Sequence, residues 1–113
     1  MTLRLNGTVL QDAIVELANT LGWVAAHFAA ARTKDGWRTP ARYQAKGWPD
    51  LVLVRERVVF MEVKGHGDSL RPDQEQWIDR LAAAGQEVYV VTPERWRNGE
   101  VDDVLKRVEG HGG

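Results

Sequence analysis

Apolar residues recur at helical spacing near the start of the chain. Four of them are separated by four, three and four positions: Leu10, Ile14, Leu17 and Leu21. Because this spacing places side chains on one face of an α-helix, we predict a helix over residues 7–21, with Asn6 or Thr8 as its N-cap. Gly22 is typical of a left-handed helix end, and the tryptophan and valine that follow it favour a strand over residues 23–30.

Two short apolar runs near the middle of the chain predict a β-hairpin. Residues 51–54 and 58–61 are apolar throughout, and the Arg-Glu-Arg triplet at residues 55–57 separates them. Neither run alternates with polar residues, so we expect both strands to be buried on both faces. The preceding residues 32–48 are rich in Gly, Pro, Thr and charge, and we predict that they form a long loop.

A second helix and a further strand are predicted in the next part of the sequence. Pro72 suits the first turn of this helix, and Gly85 is expected to end it. Its apolar stripe consists of Trp77, Ile78 and Leu81. The valine-rich residues 87–91 that follow are typical of a strand.

The last part of the pattern predicts a short turn and an amphipathic helix. Thr92 and Pro93 suit the cap and first residue of a turn around Trp96. The apolar face of the helix consists of Val101, Val104, Leu105 and Val108. The predicted order is therefore α-β-β-β-α-β-α, and the stretch from Met61 to Tyr89 has the length of a right-handed crossover. We expect an α/β fold with a mixed central β-sheet flanked by helices.

The composition fits one ordinary domain. With 113 residues, 43% hydrophobic and 27% charged, we expect residues 1–113 to form a single domain with an ordered core over residues 7–109. The lack of cysteine excludes a disulfide framework, a thiolate zinc site and a cysteine nucleophile, and it suits a cytoplasmic protein. We find neither a secretory signal nor an apolar run long enough to cross a membrane.

Two carboxylates and a lysine are expected to meet at the open end of the hairpin. If residues 55–57 form its turn, Asp50 lies directly opposite Glu62, with Cβ atoms about 5 Å apart. Like charges at that distance destabilise a sheet, and Mg²⁺ removes the conflict because it binds carboxylate oxygens. Lys64 shares the face of Glu62 because it lies two residues further along the strand. Such a group suits metal-assisted hydrolysis of a phosphodiester.

Each part of this group also has an ordinary structural interpretation. A Glu-X-Lys triplet is commonly a solvated strand end with an ion pair, and Pro49-Asp50 is a common turn dipeptide. The functional interpretation depends on register, because a turn one residue longer or shorter would move Asp50 away from Glu62.

Several motifs follow one another in an order that resembles a known family. They are Gly47-Trp48-Pro49-Asp50-Leu51, Glu62-Val63-Lys64, Gln74 with Trp77 and Leu81, and Gly85 before a valine-rich strand. Together they resemble the VRR-NUC nucleases of the PD-(D/E)XK superfamily, most closely the small stand-alone proteins typical of phages. The resemblance extends from about Val9 to Leu105. It implies a restriction-endonuclease-like fold, similar to that of archaeal Holliday junction resolvases.

The resemblance also implies roles for individual residues. Asp50, Glu62 and the backbone carbonyl of Val63 would bind one or two Mg²⁺ or Mn²⁺ ions in each active site, and Lys64 would be catalytic. Glu16 matches an acidic metal ligand in the family's first helix, although a solvated helix glutamate fits that position as well. Gln74 matches a catalytic glutamine that would hydrogen-bond the substrate or Lys64; the alternative is a helix-capping glutamine.

The sequence departs from the family pattern at one position. Arg71 occupies the position before Pro72 where a serine cap is usual. Among the histidines, we expect His27 in the core and His66 in a solvated loop.

Basic residues are concentrated just before the proposed metal site. They are Arg32, Lys34, Arg38, Arg42 and Lys46, interleaved with Trp37, Tyr43 and Trp48. Basic side chains neutralise phosphates and aromatic rings stack on unpaired bases, so we predict that this segment binds DNA. The alternative is a solvated loop whose aromatic residues fold back onto the core.

These observations lead to one functional prediction with named alternatives. We expect a magnesium-dependent, structure-specific DNA endonuclease that leaves 5′-phosphate and 3′-hydroxyl ends, acting on Holliday junctions or other branched DNA. Symmetric cutting of a junction needs two active sites, so we expect a homodimer in the cytoplasm of a bacterial or phage-infected cell, without membrane contact. The alternatives are a nicking or sequence-selective endonuclease on linear duplex, and a non-catalytic DNA-binding module of the same fold.

Overall fold

The computed structural model describes residues 4–28, 31–33, 36–38 and 45–108. Its elements, in chain order, are α1 (Gly7–Thr20), β1 (Val24–His27), β2 (Ala31–Thr33), β3 (Gly36–Arg38), β4 (Leu51–Val54), β5 (Val58–Val63), α2 (Pro72–Ala83), β6 (Glu87–Val91), α3 (Pro93–Arg97) and α4 (Glu100–Lys106). The predicted α/β class is confirmed, with the additional short strands β2 and β3.

The main sheet has four strands in the order β1-β4-β5-β6 and is mixed, as predicted. β4 and β5 are antiparallel, with Leu51 opposite Met61 and Val54 opposite Val58, which is the predicted hairpin register. β5 and β6 are parallel and are connected through α2. The sheet therefore brings the start of β4 and the ends of β5 and β6 to the same end of the sheet.

The first helix forms where the periodicity predicts it. The Asn6 side chain caps α1 by accepting a hydrogen bond from the Val9 amide at 2.8 Å, and Gly22 follows the helix with a positive φ of 86°. Leu10 and Ile14 are fully buried against one face of the sheet. In the part of the chain that is described, no helix has the length and apolar content needed to cross a bilayer.

The two faces of the hairpin differ, which corrects the expectation that both would be buried. Leu51 and Leu53 of β4 are fully buried on the α1 side, whereas Val54 and Val58 are 44% and 38% exposed on the other side. The cause is the position of α2, which packs against β6, the edge strand opposite β1, and does not cover the turn end of the hairpin. His27 is likewise exposed, because β1 is an edge strand, and the core position expected for it is wrong.

The segment predicted as a long loop contains a short antiparallel ribbon. β2 and β3 pair with Ala31 opposite Arg38 and Thr33 opposite Gly36. Strands of three residues are too short to produce a recognisable alternating pattern, so periodicity does not reveal them. The Asp35-Gly36 dipeptide is a hairpin signal, but it would centre the turn one residue later than the observed pairing of Thr33 with Gly36.

Candidate active site

Asp50 and Glu62 meet at the end of the sheet where β4 begins and β5 ends. Continuing the β4–β5 register by one residue beyond Leu51 and Met61 places the two acidic residues opposite each other. The Asp50 Oδ2 atom accepts a hydrogen bond from the Val63 amide at 2.7 Å, which holds this carboxylate across the strand pair. The predicted juxtaposition of the two carboxylates is present in the structure.

Glu62 is buried in a way that a solvated strand end would not require. Its residue is only 1% exposed, and within the described residues its Oε2 atom has no hydrogen-bond partner. Burial, and then the neighbouring Asp50 carboxylate, raise the pKa of Glu62 to about 9. A buried carboxyl oxygen without a partner, beside a second carboxylate, is the donor set that a hard divalent cation fits.

Gln74 connects the lysine, the glutamate and the start of α2. Its side chain is buried, and its Oε1 atom accepts hydrogen bonds from Lys64 Nζ at 2.7 Å and from the Arg71 amide at 2.9 Å. Its Nε2 atom donates to Glu62 Oε1 at 3.4 Å. The contact with Lys64 and the capping of α2 were alternatives in the sequence, and the structure combines them in one side chain.

Lys64 lies on the same face as the carboxylates and is anchored at both ends. Its ammonium contacts Gln74, and its backbone amide donates to the carbonyl of Val91 at 2.9 Å, at the end of β6. Strand alternation from Glu62 therefore places the ammonium where the sequence predicted it.

A glycine brings the segment that carries Asp50 against the helix that carries Gln74. Gly47 has a positive φ of 89°, and a Cβ atom added to it would lie 2.5 Å from the carbonyl carbon of Asp73. In the same segment, the Lys46 carbonyl accepts a hydrogen bond from Trp77 Nε1 at 3.0 Å. Only glycine permits this approach, so the motif around Asp50 has a structural reason for its first residue.

A second glycine packs the loop after Lys64 against the start of α1. A Cβ atom added to Gly65 would overlap the backbone of Gly7 and would lie 2.8 Å from the carbonyl carbon of Asn6. The amide of His66, an exposed loop residue as expected, donates to the Leu5 carbonyl at 2.8 Å.

Aromatic residues form a cluster on the sheet face beside the carboxylates. Trp48 makes edge-to-face contacts with Phe28, Phe60 and Trp77, with ring centroids 6.5, 5.6 and 5.0 Å apart. Trp48 thus folds back onto the sheet, which was the alternative to a DNA contact. The position of Phe28 in this cluster was not predicted.

Most of the chain matches a known protein family. The family model described as the VRR-NUC domain matches residues 12–94, well over half of the 113 residues. The chain belongs to the VRR-NUC family. Searches of curated proteins and of solved structures gave no significant match.

The VRR-NUC domain is a nuclease domain that acts on DNA, so the predicted family and general activity are confirmed. After β6, Thr92 caps α3 by accepting a hydrogen bond from the Arg95 amide at 3.2 Å. The Arg95 guanidinium donates to the Val90 carbonyl at 2.7 Å, so it is bound to the end of β6.

Glu16 of the VRR-NUC domain lies away from the carboxylate pair. It is exposed on α1 beside Leu17, Thr20 and Trp96, where these side chains line a surface hollow. Two residues correspond to about 200° around a helix, so Glu16 points away from buried Ile14. No group of three or more acidic or histidine side chains comes together in the described ranges, and the structure does not bring Glu16 to the predicted metal site.

The basic residues predicted to bind DNA are only partly described. Lys46 is exposed beside the site, while Arg32 belongs to β2 and Arg38 to β3. Lys34 and Arg42 lie outside the described residues. The basic surface therefore stays a prediction.

Proposed function

We propose that this VRR-NUC domain is a metal-dependent, structure-specific endonuclease that hydrolyses phosphodiesters to 5′-phosphate and 3′-hydroxyl ends. The observation that carries the proposal is the buried Glu62 carboxyl group, whose Oε2 atom has no partner among the described residues although Asp50 and Lys64 stand beside it. A purely structural glutamate would be expected to find a partner or to lie in solvent.

The donor set favours Mg²⁺ or Mn²⁺, with one or two ions in each active site. Asp50, Glu62 and the backbone carbonyl of Val63 supply oxygen ligands, which hard cations prefer. A cation bound there would polarise the phosphate and lower the pKa of an attacking water. The Val63 amide donates to Asp50 Oδ2, so the Val63 peptide lies beside that carboxylate.

The remaining groups orient the reaction. The Lys64 ammonium, held by Gln74, offsets the negative charge that develops on the phosphate oxygens. Gln74 positions both this ammonium and Glu62, because its amide contacts the two groups at once. The substrate phosphate would lie on the sheet face that these side chains share.

We further propose branched DNA, such as a Holliday junction, as the substrate. The resemblance to junction resolvases supports this choice. Contacts with the DNA backbone are assigned to the basic residues Arg32, Lys34, Arg38, Arg42 and Lys46. Cutting two strands of a junction symmetrically requires two active sites, so the active form would be a homodimer. Sedimentation of the protein with and without a junction measures its oligomeric state.

A cleavage assay with a junction and a linear duplex of the same arm sequences tests the proposal. Wild-type protein with Mg²⁺ should cut the junction and leave ends that DNA ligase can reseal, and EDTA should stop the reaction. Asp50→Ala and Lys64→Ala should abolish cutting, while Lys106→Ala, an exposed lysine on α4, should not.

The possible outcomes separate the proposal from its alternatives. Equal cutting of both DNAs would identify a duplex endonuclease. Binding of DNA without any cutting by the wild type would identify a non-catalytic module, and undiminished cutting by Lys64→Ala would reject the assigned mechanism.

A further inference from the structure

Phe28 lies in the same row of the sheet as the two carboxylates. Its amide donates to the Asp50 carbonyl at 2.8 Å, which continues the β1–β4 register one residue beyond His27 and Leu51. Phe28 is therefore directly opposite Asp50, as Asp50 is opposite Glu62. Residues directly opposite each other point to the same face with Cβ atoms about 5 Å apart, so the three side chains form one row.

The Phe28 ring is exposed and supported on one side. Phe28 is 49% exposed, whereas Phe60, two positions before Glu62 on the same face, is only 9% exposed. The Phe28 ring meets the Trp48 ring edge-to-face, at a centroid distance of 6.5 Å and an interplanar angle of 83°. The ring thus has a fixed support on one side and a surface open to solvent beside the site.

We propose that Phe28 stacks on an uncovered base face next to the phosphate that is cut, as at a branch point or in a single strand, and that it thereby favours branched DNA over duplex. This inference rests on the proposed function, since it assumes that a cation held by the row's carboxylates binds the phosphate. The neighbouring position across two strands places the ring within one nucleotide of that phosphate. Aromatic rings stack on a base whose face is not covered by a neighbouring base, but they cannot reach the face of a base inside an intact duplex.

A contact with DNA explains Phe28 better than a contact with a second copy of the chain. The other exposed apolar residues of this face, Val24, Val54 and Val58, form a separate row through their register. Val24 lies four residues before Phe28, about 13 Å along the strand and away from the carboxylates. Phe28 alone among these residues shares the row that would bind the phosphate.

Binding measurements without cleavage test this inference independently of activity. Fluorescence anisotropy with Ca²⁺ in place of Mg²⁺, which keeps a hard cation on the carboxylates, would compare a four-way junction, single-stranded DNA and a linear duplex. Phe28→Ala should weaken binding of the junction and the single strand about tenfold and leave duplex binding unchanged. Phe28→Trp, which keeps an aromatic ring, should bind the junction and the single strand as the wild type does. Phe28→Leu keeps the apolar bulk but should bind as weakly as Phe28→Ala.

The matched control is Val24→Ala, which removes a more exposed apolar side chain from the same strand and face. It should bind all three DNAs as the wild type does. Unchanged junction and single-strand binding by Phe28→Ala would overturn the inference. Equal weakening on all DNAs together with a change in oligomeric state would assign Phe28 to a protein interface instead. Absence of cleavage by the wild type would reject the proposed function but leave this binding result interpretable.

Discussion

Burial of the Glu62 carboxyl group beside Asp50 destabilises its ionised form in the metal-free protein. A charged carboxylate that is 1% exposed loses most of its hydration, and the adjacent Asp50 carboxylate adds repulsion, so the proton stays on Glu62 at neutral pH. A cation bound between the two carboxylates would have to displace this proton. Metal binding at pH 7 should therefore be coupled to proton release.

The stability of the metal-free protein should fall as the pH rises. The unfolded chain releases the Glu62 proton near the ordinary value of 4.5, whereas the folded chain holds it up to a pKa of about 9. Between these values the folded state binds more protons, so the free energy of unfolding should decrease by up to about 1.4 kcal/mol per pH unit. Urea denaturation in EDTA at pH 6 and pH 8 measures this slope.

Glu62→Gln should lose this part of the pH dependence, while Glu75→Gln, an exposed glutamate on α2, should retain it. Identical slopes for Glu62→Gln and the wild type would show that Glu62 is ionised in the folded protein.

Gln74 offers a second test at the residue scale. Gln74→Ala should lower kcat by about 10- to 100-fold with little change in KM, because the Lys64 ammonium loses the Gln74 Oε1 atom that accepts its hydrogen bond at 2.7 Å. The matched control is Gln76→Ala, an exposed glutamine on the same helix, which should keep wild-type kinetics. A rise in KM with unchanged kcat would instead assign Gln74 to substrate binding.

At the scale of elements, the sequence predicts those features that depend on local spacing. The α1 face and the β4–β5 register follow from apolar spacing and from the length of the turn at residues 55–57. Gln74 shows what such patterns leave out, because the most buried residue of α2 is polar and periodicity counts only apolar positions. Contacts between segments that are distant in the sequence, such as Gly47 against α2, produce no periodic pattern of apolar residues, so the sequence does not predict them.

The contact of Gly47 with α2 predicts that alanine substitution destabilises the fold to different extents at two glycines of similar conformation. Gly47 and Gly67 have φ values of 89° and 82°. Apart from its chain neighbours, a Cβ at Gly67 meets no atom of the described residues within 4 Å, whereas one at Gly47 overlaps the α2 backbone. Gly47→Ala should therefore destabilise the fold by about 2 kcal/mol more than Gly67→Ala. Thermal or urea unfolding of the two variants measures this difference, and equal losses would contradict the close approach.

At the scale of the whole molecule, the end of the sheet opposite the site is held together by arginines of the β4–β5 turn. The guanidinium carbons of Arg55 and Arg57 lie 4.7 and 5.0 Å from the centroid of the Trp23 ring. Both guanidinium groups donate to the Arg107 carbonyl after α4, and Arg57 also donates to the carbonyl of Val104. These contacts connect the hairpin turn to the last helix, far from Asp50.

Stability and chemistry should therefore be separable. Arg57 has a 7% exposed side chain and also pairs with Glu87 at 3.2 Å, so Arg57→Ala should lower the free energy of unfolding by about 3 kcal/mol. At a temperature where the variant stays folded, its kcat should match that of the wild type. Arg80→Ala, an exposed arginine on α2, is the control for loss of a positive charge. A loss of kcat in folded Arg57→Ala would show that the two ends of the sheet are coupled.

The packing of Gly65 against the start of α1 affects how the protein can be handled. Leu5 and Asn6 lie directly beside the residues that follow Lys64. An affinity tag joined close to residue 4 would crowd the loop next to the ammonium group, whereas a tag placed after α4 would leave from the end held by the turn arginines. Purification handles on the carboxyl-terminal side are therefore the better choice whenever nuclease rates are to be compared.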